Sequence, residues 1–194
     1  MWVEPVTLKG EHVTIRPMEK EDLDELYNAS GHEEIWSYMP MNITSKSDME
    51  LLIDQALEGR QKGNDFPFVI HDNKLGKLVG STRFLDTSEV SRNLEIGWTW
   101  LSPDVWRTPV NTECKYLLLM HCFESLKTIR VQLKTDGRNI RSQNAIERIG
   151  AIREGVLRKS RVTYTGFVRD TVYFSILESE WPEVKKNLER QLDR

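Results

Sequence analysis

Apolar and polar residues alternate along several short stretches of the chain, the pattern of β-strands that bury one face. In residues 12–18, Val13 and Ile15 lie on one face of the expected strand and Thr14 and Arg16 on the other. Similar or more continuously apolar stretches predict further strands at 67–72, 77–86, 93–102, 130–136, 152–160 and 168–178. We therefore expect seven strands spread over the whole chain.

A second spacing, with apolar residues every three or four positions, predicts helices between these strands. The helical stretches are 19–30, 45–63, 110–126, 139–150 and a polar-faced tail from 181 to 194. The second of them contains Ser47-Asp48-Met49-Glu50, a capping-box pattern, and closes on Gly63.

The order of the elements predicts an α/β protein that mixes hairpins with a crossover. The helix 110–126 joins strands 93–102 and 130–136, which run parallel if they share a sheet. We expect a mixed sheet with helices on both faces, folded as one domain over residues 1–194. Ligands of such sheets lie at the carboxyl ends of strands, and the loop 102–110 is one such end.

Composition and charge exclude several functions. The 194 residues carry a net charge of −3, whereas domains that bind nucleic acid through bulk charge are basic. The four histidines show no metal-ligand spacing, so we expect no metal, and no apolar run is long enough for a signal peptide or a membrane span. Cys114 and Cys122 lie about 12 Å apart along one helix, too far for a disulfide. We interpret them as buried apolar residues of a protein in a reducing, cytoplasmic compartment.

The junction between the loop 102–110 and the following helix offers donors for an anion. Thr108 is the expected N-cap and Pro109 the first helical residue, since proline has a suitable φ and needs no amide hydrogen bond there. The helix dipole and the free amides of the first turn favour negative charge. The candidate donors are the side chains of Arg107, Thr108 and Thr112 and the backbone amides of Val110, Asn111 and Thr112. A helix start without a ligand is the alternative.

Two segments carry a resemblance to a known family. The run "EIGWTWLSPDVWRTPVNTECKYLLL", followed one strand later by "NIRSQNAIERIGA", resembles the GNAT acyltransferases, and most closely the Rim-type enzymes that acetylate the N-termini of ribosomal proteins. The resemblance covers nearly the whole chain. It implies the GNAT-like fold: one mixed, mostly antiparallel sheet, splayed at its centre and covered by helices on both faces.

The resemblance also implies which residues bind acetyl-CoA. The loop before the helix 110–126 is expected to bind the pyrophosphate of coenzyme A, and the main chain at Trp100 and Leu101 to face pantetheine between the splayed strands. Asn139 is expected to contact the ligand. Ser142 takes the place of the family's tyrosine as the acid that protonates the thiolate, and Pro109 stands where the family has a glycine. The alternative for Asn139 is a plain helix cap, and for Ser142 a solvated side chain.

Three further groups are candidates for the acceptor side. Glu95 lies among apolar neighbours in strand 93–102, where burial favours a raised pKa and a role as general base; an internal hydrogen bond is the alternative. Trp36 and Tyr38 either line the acceptor pocket or pack over the sheet. A basic cluster either faces an acidic acceptor or forms a solvated face; it comprises Arg153, Arg158, Lys159, Arg161 and Arg169.

We therefore expect an acetyl-CoA-dependent N-acetyltransferase in which a primary amine, best a protein or peptide N-terminal α-amine, attacks the thioester directly. Neither cysteine is expected to act as a nucleophile. Two alternatives remain: an acetyltransferase for small amines such as polyamines or antibiotics, and a silent acyl-CoA-binding module. We expect no nucleic-acid or membrane partner, and a homodimer remains open.

Overall fold

The computed structural model describes residues 2–193 and contains one eight-stranded sheet. Its strands are β1 (Leu8–Lys9), β2 (Val13–Pro17), β3 (Asp65–Asp72), β4 (Lys77–Ser88), β5 (Asn93–Leu101), β6 (Arg130–Asp136), β7 (Ile152–Val162) and β8 (Val168–Leu177). They lie in the order β1-β2-β3-β4-β5-β6-β8-β7. Every neighbouring pair is antiparallel except β5 and β6, so the sheet is mixed and mostly antiparallel, as expected.

Six α-helices cover the two faces of the sheet. They are α1 (Leu23–Ala29), α2 (Glu33–Trp36), α3 (Lys46–Gln61), α4 (Pro109–Met120), α5 (Ile140–Arg148) and α6 (Trp181–Leu192). The first three pack with Val69, Leu78 and Trp100 in one apolar core. The last three share a second core with residues such as Phe68 and Ile96 on the other face. Because strand side chains alternate, each face of the sheet receives its own core.

The parallel pair β5 and β6 separates soon after it begins. The strands are paired only at Asn93–Arg130, Leu94–Val131 and Glu95–Gln132. Beyond that point β5 stays with β4, and β6 stays with β8 as far as Asp136. The centre of the sheet is therefore splayed, which confirms the expected GNAT-like fold and opens a gap at the carboxyl ends of both strands.

Several local predictions need correction. The N-cap of α3 is Ser45, whose hydroxyl accepts from the Asp48 amide while the Asp48 carboxylate accepts from the Ser45 amide, so the capping box begins two residues earlier than expected. The regular part of α4 ends at Met120 and continues as a π-helical turn over His121–Ser125. The sequence analysis did not find β1 or α2, which have only two and four residues.

Both cysteines are free and buried, as expected. Burial raises the pKa of the Cys114 thiol to about 11 and that of Cys122 further still. A thiolate is the nucleophilic form of cysteine, so these environments disfavour nucleophilic chemistry. Across residues 2–193, no helix combines the length and the apolar character that a membrane crossing requires.

Candidate active site

A cavity of about 810 Å³ occupies the gap between β5 and β6 and reaches both faces of the sheet. On one face its wall includes Arg107 and Asn111 at the start of α4 and Ser142 on α5. On the other face it includes Ile35 and Tyr38, from α2 and the segment after it. A ligand can therefore enter from one face and meet a second molecule from the other.

A β-bulge in β5 forms the central wall of this cavity. Ser81 pairs with Trp100 but Arg83 pairs with Gly97, so two residues of β5 stand opposite one of β4. Within the bulge Trp98 has a φ of +51°, a conformation that costs energy for a residue with a side chain. A bulge leaves backbone groups out of the ladder, so main-chain amides are free to bind a ligand here.

Helix α4 begins at the cavity as the sequence predicted. Thr108 is the N-cap, its hydroxyl accepts weakly from the Val110 amide at 3.4 Å, and Pro109 is the first helical residue. The preceding Arg107 has a φ of +62°, is exposed and lines the cavity. The amides of the first turn and the positive end of the helix dipole therefore lie beside a free guanidinium, a combination that favours phosphate.

Two arginines of α5 extend this positive region, and the sequence analysis did not find them. Arg141 stacks on the Trp106 ring at 3.8 Å, and Arg148 lies within 3.5 Å of the Thr112 hydroxyl. Among residues 2–193, neither forms an ion pair, nor does Arg107. Three guanidiniums without carboxylates around one helix N-terminus suit a ligand with several phosphates.

Asn139 and Ser142 lie together at the start of α5 and both line the cavity. The Asn139 side-chain oxygen accepts from the Ser142 amide at 3.0 Å, so Asn139 is a helix cap. Its amide nitrogen and the Ser142 hydroxyl have no hydrogen-bond partner in the part of the chain that the structure describes. Both groups are available to a ligand in the gap.

Glu95 is buried on the cavity wall, but its neighbours differ from the expected apolar ones. Its Oε2 atom accepts from Gln132 at 2.8 Å and forms an ion pair with Lys134 at 2.7 Å. Its Oε1 atom lies on the side of Gly97, where a Cβ would approach it to 2.8 Å. Within residues 2–193 no hydrogen bond uses Oε1, so one carboxylate oxygen remains free for a proton.

The two aromatic residues proposed for the acceptor pocket lie in different places. Trp36 is fully buried, donates its indole hydrogen to the Ser30 carbonyl and packs on Trp100 at 5.3 Å. The structure therefore does not bring Trp36 to the cavity, in agreement with the alternative that it packs over the sheet. Tyr38 does line the cavity, as do Trp100 and Leu101 of β5.

One of the proposed side-chain donors turns away from the cavity. The Thr112 side chain is buried and does not lie on the cavity wall, and its hydroxyl lies 3.5 Å from Arg148. The Val110 side chain is buried too, so that for both residues the backbone amides remain the candidates. Asn111 does line the cavity.

A buried lysine on the cavity wall was not anticipated either. Lys115 of α4 is 7% exposed and donates to the Thr99 hydroxyl at 2.6 Å. Burial lowers the pKa of its ammonium, since no carboxylate compensates the lost hydration. The sequence pattern of α4 does not predict the burial of Lys115, because a lysine in a long apolar helix usually lies on the solvent face.

Comparisons with known proteins agree with this geometry. Residues 12–152 match the family model described as the acetyltransferase (GNAT) domain, and the chain belongs to this family of acyltransferases. It is 28% identical over 183 residues to the Bacillus subtilis (strain 168) protein named "Putative ribosomal N-acetyltransferase YdaF", covering 89% of this chain and 94% of that protein.

Solved structures show the same fold. A GCN5-related N-acetyltransferase from Brucella melitensis superposes with a TM-score of 0.92 at 27% identity, over 99% of this chain and 87% of that one. Mycobacterium smegmatis RimJ, solved in complex with CoA-disulfide, superposes with a TM-score of 0.83 at 20% identity, over 96% and 95% of the two chains. The first likeness supports the family, and the second shows the fold alone.

Proposed function

We propose that this acyltransferase uses acetyl-CoA to acetylate the N-terminal α-amine of a protein or peptide. The observation that carries the proposal is the cavity itself, which joins a phosphate-type anion site at the start of α4 to a second opening beside Tyr38. A donor with phosphates at one end and an amine acceptor entering from the opposite face both fit this passage.

The residues present fit coenzyme A. Arg107, Arg141 and Arg148 supply three uncompensated positive charges, and the first-turn amides of α4 supply hydrogen bonds to a pyrophosphate. The gap between β5 and β6 offers the main chain at Trp100 and Leu101 to the amide groups of pantetheine. Pro109 removes one amide, and the nearby guanidiniums compensate for it.

The central bulge suits the reacting carbonyl. Amides at Trp98 and Thr99 that leave the β4–β5 ladder are fixed donors in a partly buried site. Donors held in place before the reaction stabilise the negative charge that develops on a thioester oxygen under attack. The positive φ of Trp98 is thus a strained feature at the position where the chemistry needs it.

Two side chains provide a path for protons. The free Oε1 atom of Glu95 accepts a proton from the attacking amine, directly or through water. Ser142 lies on the other wall of the gap, where its unpaired hydroxyl protonates the departing thiolate of coenzyme A. The amine nitrogen forms its bond to the acetyl carbon as the carbon–sulfur bond breaks, without an acyl-enzyme.

This apparatus favours amines that are partly neutral. About a quarter of protein α-amines, with a pKa of about 7.7–8.0, are neutral near pH 7.4, whereas only about one lysine side chain in a thousand is. An enzyme must supply roughly 3.5 kcal/mol more to use lysine equally well. We therefore expect the α-amine to be the acceptor.

Calorimetric titration with coenzyme A tests the donor site. Arg107→Ala and Arg148→Ala should each weaken binding about 10- to 100-fold, since each removes a charge-assisted contact worth about 1.5–3 kcal/mol. Arg153→Ala is a matched control on β7, outside the cavity wall, and should bind as the wild type does. Unchanged affinity in both test variants would contradict the assignment. Thiol release with an amine present separates a transferase from a silent binding module.

A further inference from the structure

Two arginines face each other across the β7–β8 hairpin. Arg161 and Arg169 are directly paired in the strand register. Like charges in opposite positions of an antiparallel pair destabilise a sheet. Arg169 is also buried, with 7% of its surface exposed. Burial lowers the pKa of its guanidinium, and the charges of Arg161 and Arg138 add to that effect.

The chain does not compensate this cost with its own groups. Arg169 donates to the Tyr38 carbonyl at 3.3 Å, and its buried Nε atom has no acceptor within residues 2–193. For Arg161 the same part of the chain provides neither an ion pair nor a hydrogen bond. The carboxylate that acts on Arg169 belongs to Asp136, and Arg138 already binds both oxygens of Asp136 at 3.0 and 2.8 Å. One carboxylate therefore serves the two guanidiniums of Arg138 and Arg169, and the charge of Arg161 is added to them.

Both arginines lie on the cavity wall, at the end away from the phosphate-type site. Arg169 contacts Tyr38, which follows α2 on the face opposite α4. The Arg138 guanidinium lies 3.8 Å from the centre of the Phe167 ring and 5.5 Å from the centre of the Tyr38 ring. The pair therefore borders the opening through which an acceptor enters.

We infer that Arg161 and Arg169 bind a carboxylate of the acceptor, so that the preferred substrates are peptides with Asp or Glu at position 2 or 3. The inference rests on the proposed function and names the substrate class of the same site. Guanidinium groups bind carboxylates through two parallel hydrogen bonds, which fixes orientation as well as position. An acidic side chain bound there supplies a carboxylate to the Arg161–Arg169 pair, since Glu154 of β7 binds Arg130 and Asp170 of β8 accepts from the Lys159 amide.

The test compares N-terminally free hexapeptides that differ only at positions 2 and 3, which are both Glu, both Gln or both Lys. With acetyl-CoA, kcat/KM should be at least tenfold higher for the Glu peptide than for the Gln peptide, and lower again for the Lys peptide. In Arg161→Gln the Glu preference should disappear, so that kcat/KM for the Glu and Gln peptides agree within about twofold. In Arg161→Glu the preference should reverse toward the Lys peptide.

Arg158→Gln is the matched control, because Arg158 is exposed on the same strand and does not line the cavity. It should retain the full Glu preference. Arg161 is itself exposed, so its variants test the inference even if Arg169→Gln does not fold. Equal wild-type rates for the Glu and Gln peptides, or an equal loss for both in Arg161→Gln, would overturn the inference.

A binding measurement separates this inference from the proposed function. Fluorescence anisotropy of labelled Glu, Gln and Lys peptides, carrying the label at the C-terminus, reports charge preference without turnover. Acetyl transfer without any charge preference overturns the inference and leaves the proposed function intact. Tighter binding of the Glu peptide that depends on Arg161 supports the carboxylate site. If no peptide is acetylated in the same experiments, the result contradicts the proposed function.

Discussion

At the scale of single residues, the free oxygen of Glu95 decides how protons leave the amine. Glu95→Gln removes the proton acceptor while retaining most of the shape, so turnover should fall about 10–100-fold. Raising the pH should recover much of this loss, because more of the amine is then neutral. A pH profile of kcat/KM for both proteins checks this, and a loss that stays constant up to pH 9 would contradict the role of base.

Ser142 makes a contrasting prediction. Ser142→Ala removes the donor to the thiolate, so kcat should fall about 10²-fold at every pH at which the amine is neutral. The affinity for coenzyme A should change little, since the backbone of α5 and the Asn139 cap are preserved. Thiol-release kinetics and titration of the same variant measure both effects. Gln143→Ala, one position along the helix and absent from the cavity wall, is the control.

Lys115 allows a prediction about stability. Its lowered pKa means that the folded protein binds this proton less tightly than the unfolded chain does. The buried ammonium therefore destabilises the folded protein fully at any pH below the pKa of Lys115 in the folded state. This destabilisation declines as the pH rises from there toward the ordinary pKa of lysine. Lys115→Met should stabilise the fold by about 1–3 kcal/mol, most strongly at the acidic end of this range. Urea unfolding of both proteins at several pH values measures the difference.

At the scale of elements, α4 is fixed to the N-terminal segment by one carboxylate. Glu113 accepts from the backbone amides of Glu11, His12 and Val13 at 2.9, 2.7 and 2.7 Å. The carboxylate lies so close to Gly10 that a Cβ there would be 2.4 Å from it. This contact joins residues about a hundred positions apart and orients the helix whose first turn forms the phosphate-type site.

Glu113→Ala leaves three backbone amides without this acceptor. Of the three, the Val13 amide is buried, and a buried unsatisfied donor costs about 1–3 kcal/mol, so the free energy of unfolding should fall by about 1–3 kcal/mol. Glu183→Ala, an exposed pair member on α6, should change it by less than about 1 kcal/mol. Chemical denaturation gives both values, and similar results for the two variants would contradict the role of Glu113.

The same elements show what the sequence could predict. Strand β6 has the expected bounds, and α4 begins at Pro109 as expected, because proline at a helix start is a strong local signal. The N-cap of α3 was wrong because two nearby serines both have an acidic residue three positions later. Helix α2 is a single turn, too short to show a period.

The candidate site was predictable only where the signal is local. Tyr38 and Asn111 lie on the cavity wall, whereas Trp36 turns into the core. The roles of Lys115 and Arg148 depend on how α5 packs beside α4, which no local pattern shows. The same holds for Arg161 and Arg169, whose opposition depends on the hairpin register.

At the scale of the whole molecule, the cavity between β5 and β6 forms one passage through the splayed sheet. In the proposed function coenzyme A binds on the side of α4 and α5, the acceptor enters on the side of α2, and the bulge of β5 lies between them. Variants at the α4 end of the cavity should change coenzyme A binding, and variants at the Tyr38 end should change acceptor preference. Together the two ends should transfer an acetyl group to an N-terminal α-amine.

The most direct test is mass spectrometry of two acidic peptides incubated with acetyl-CoA. One peptide has a free N-terminus and no lysine, and its twin has a blocked N-terminus and one lysine. We expect acetylation of the α-amine, and a kcat/KM for the peptide with the free N-terminus at least tenfold higher than that for the lysine peptide. A preference for the lysine peptide would contradict it, because a lysine amine is far more rarely neutral near pH 7.4 than an α-amine is.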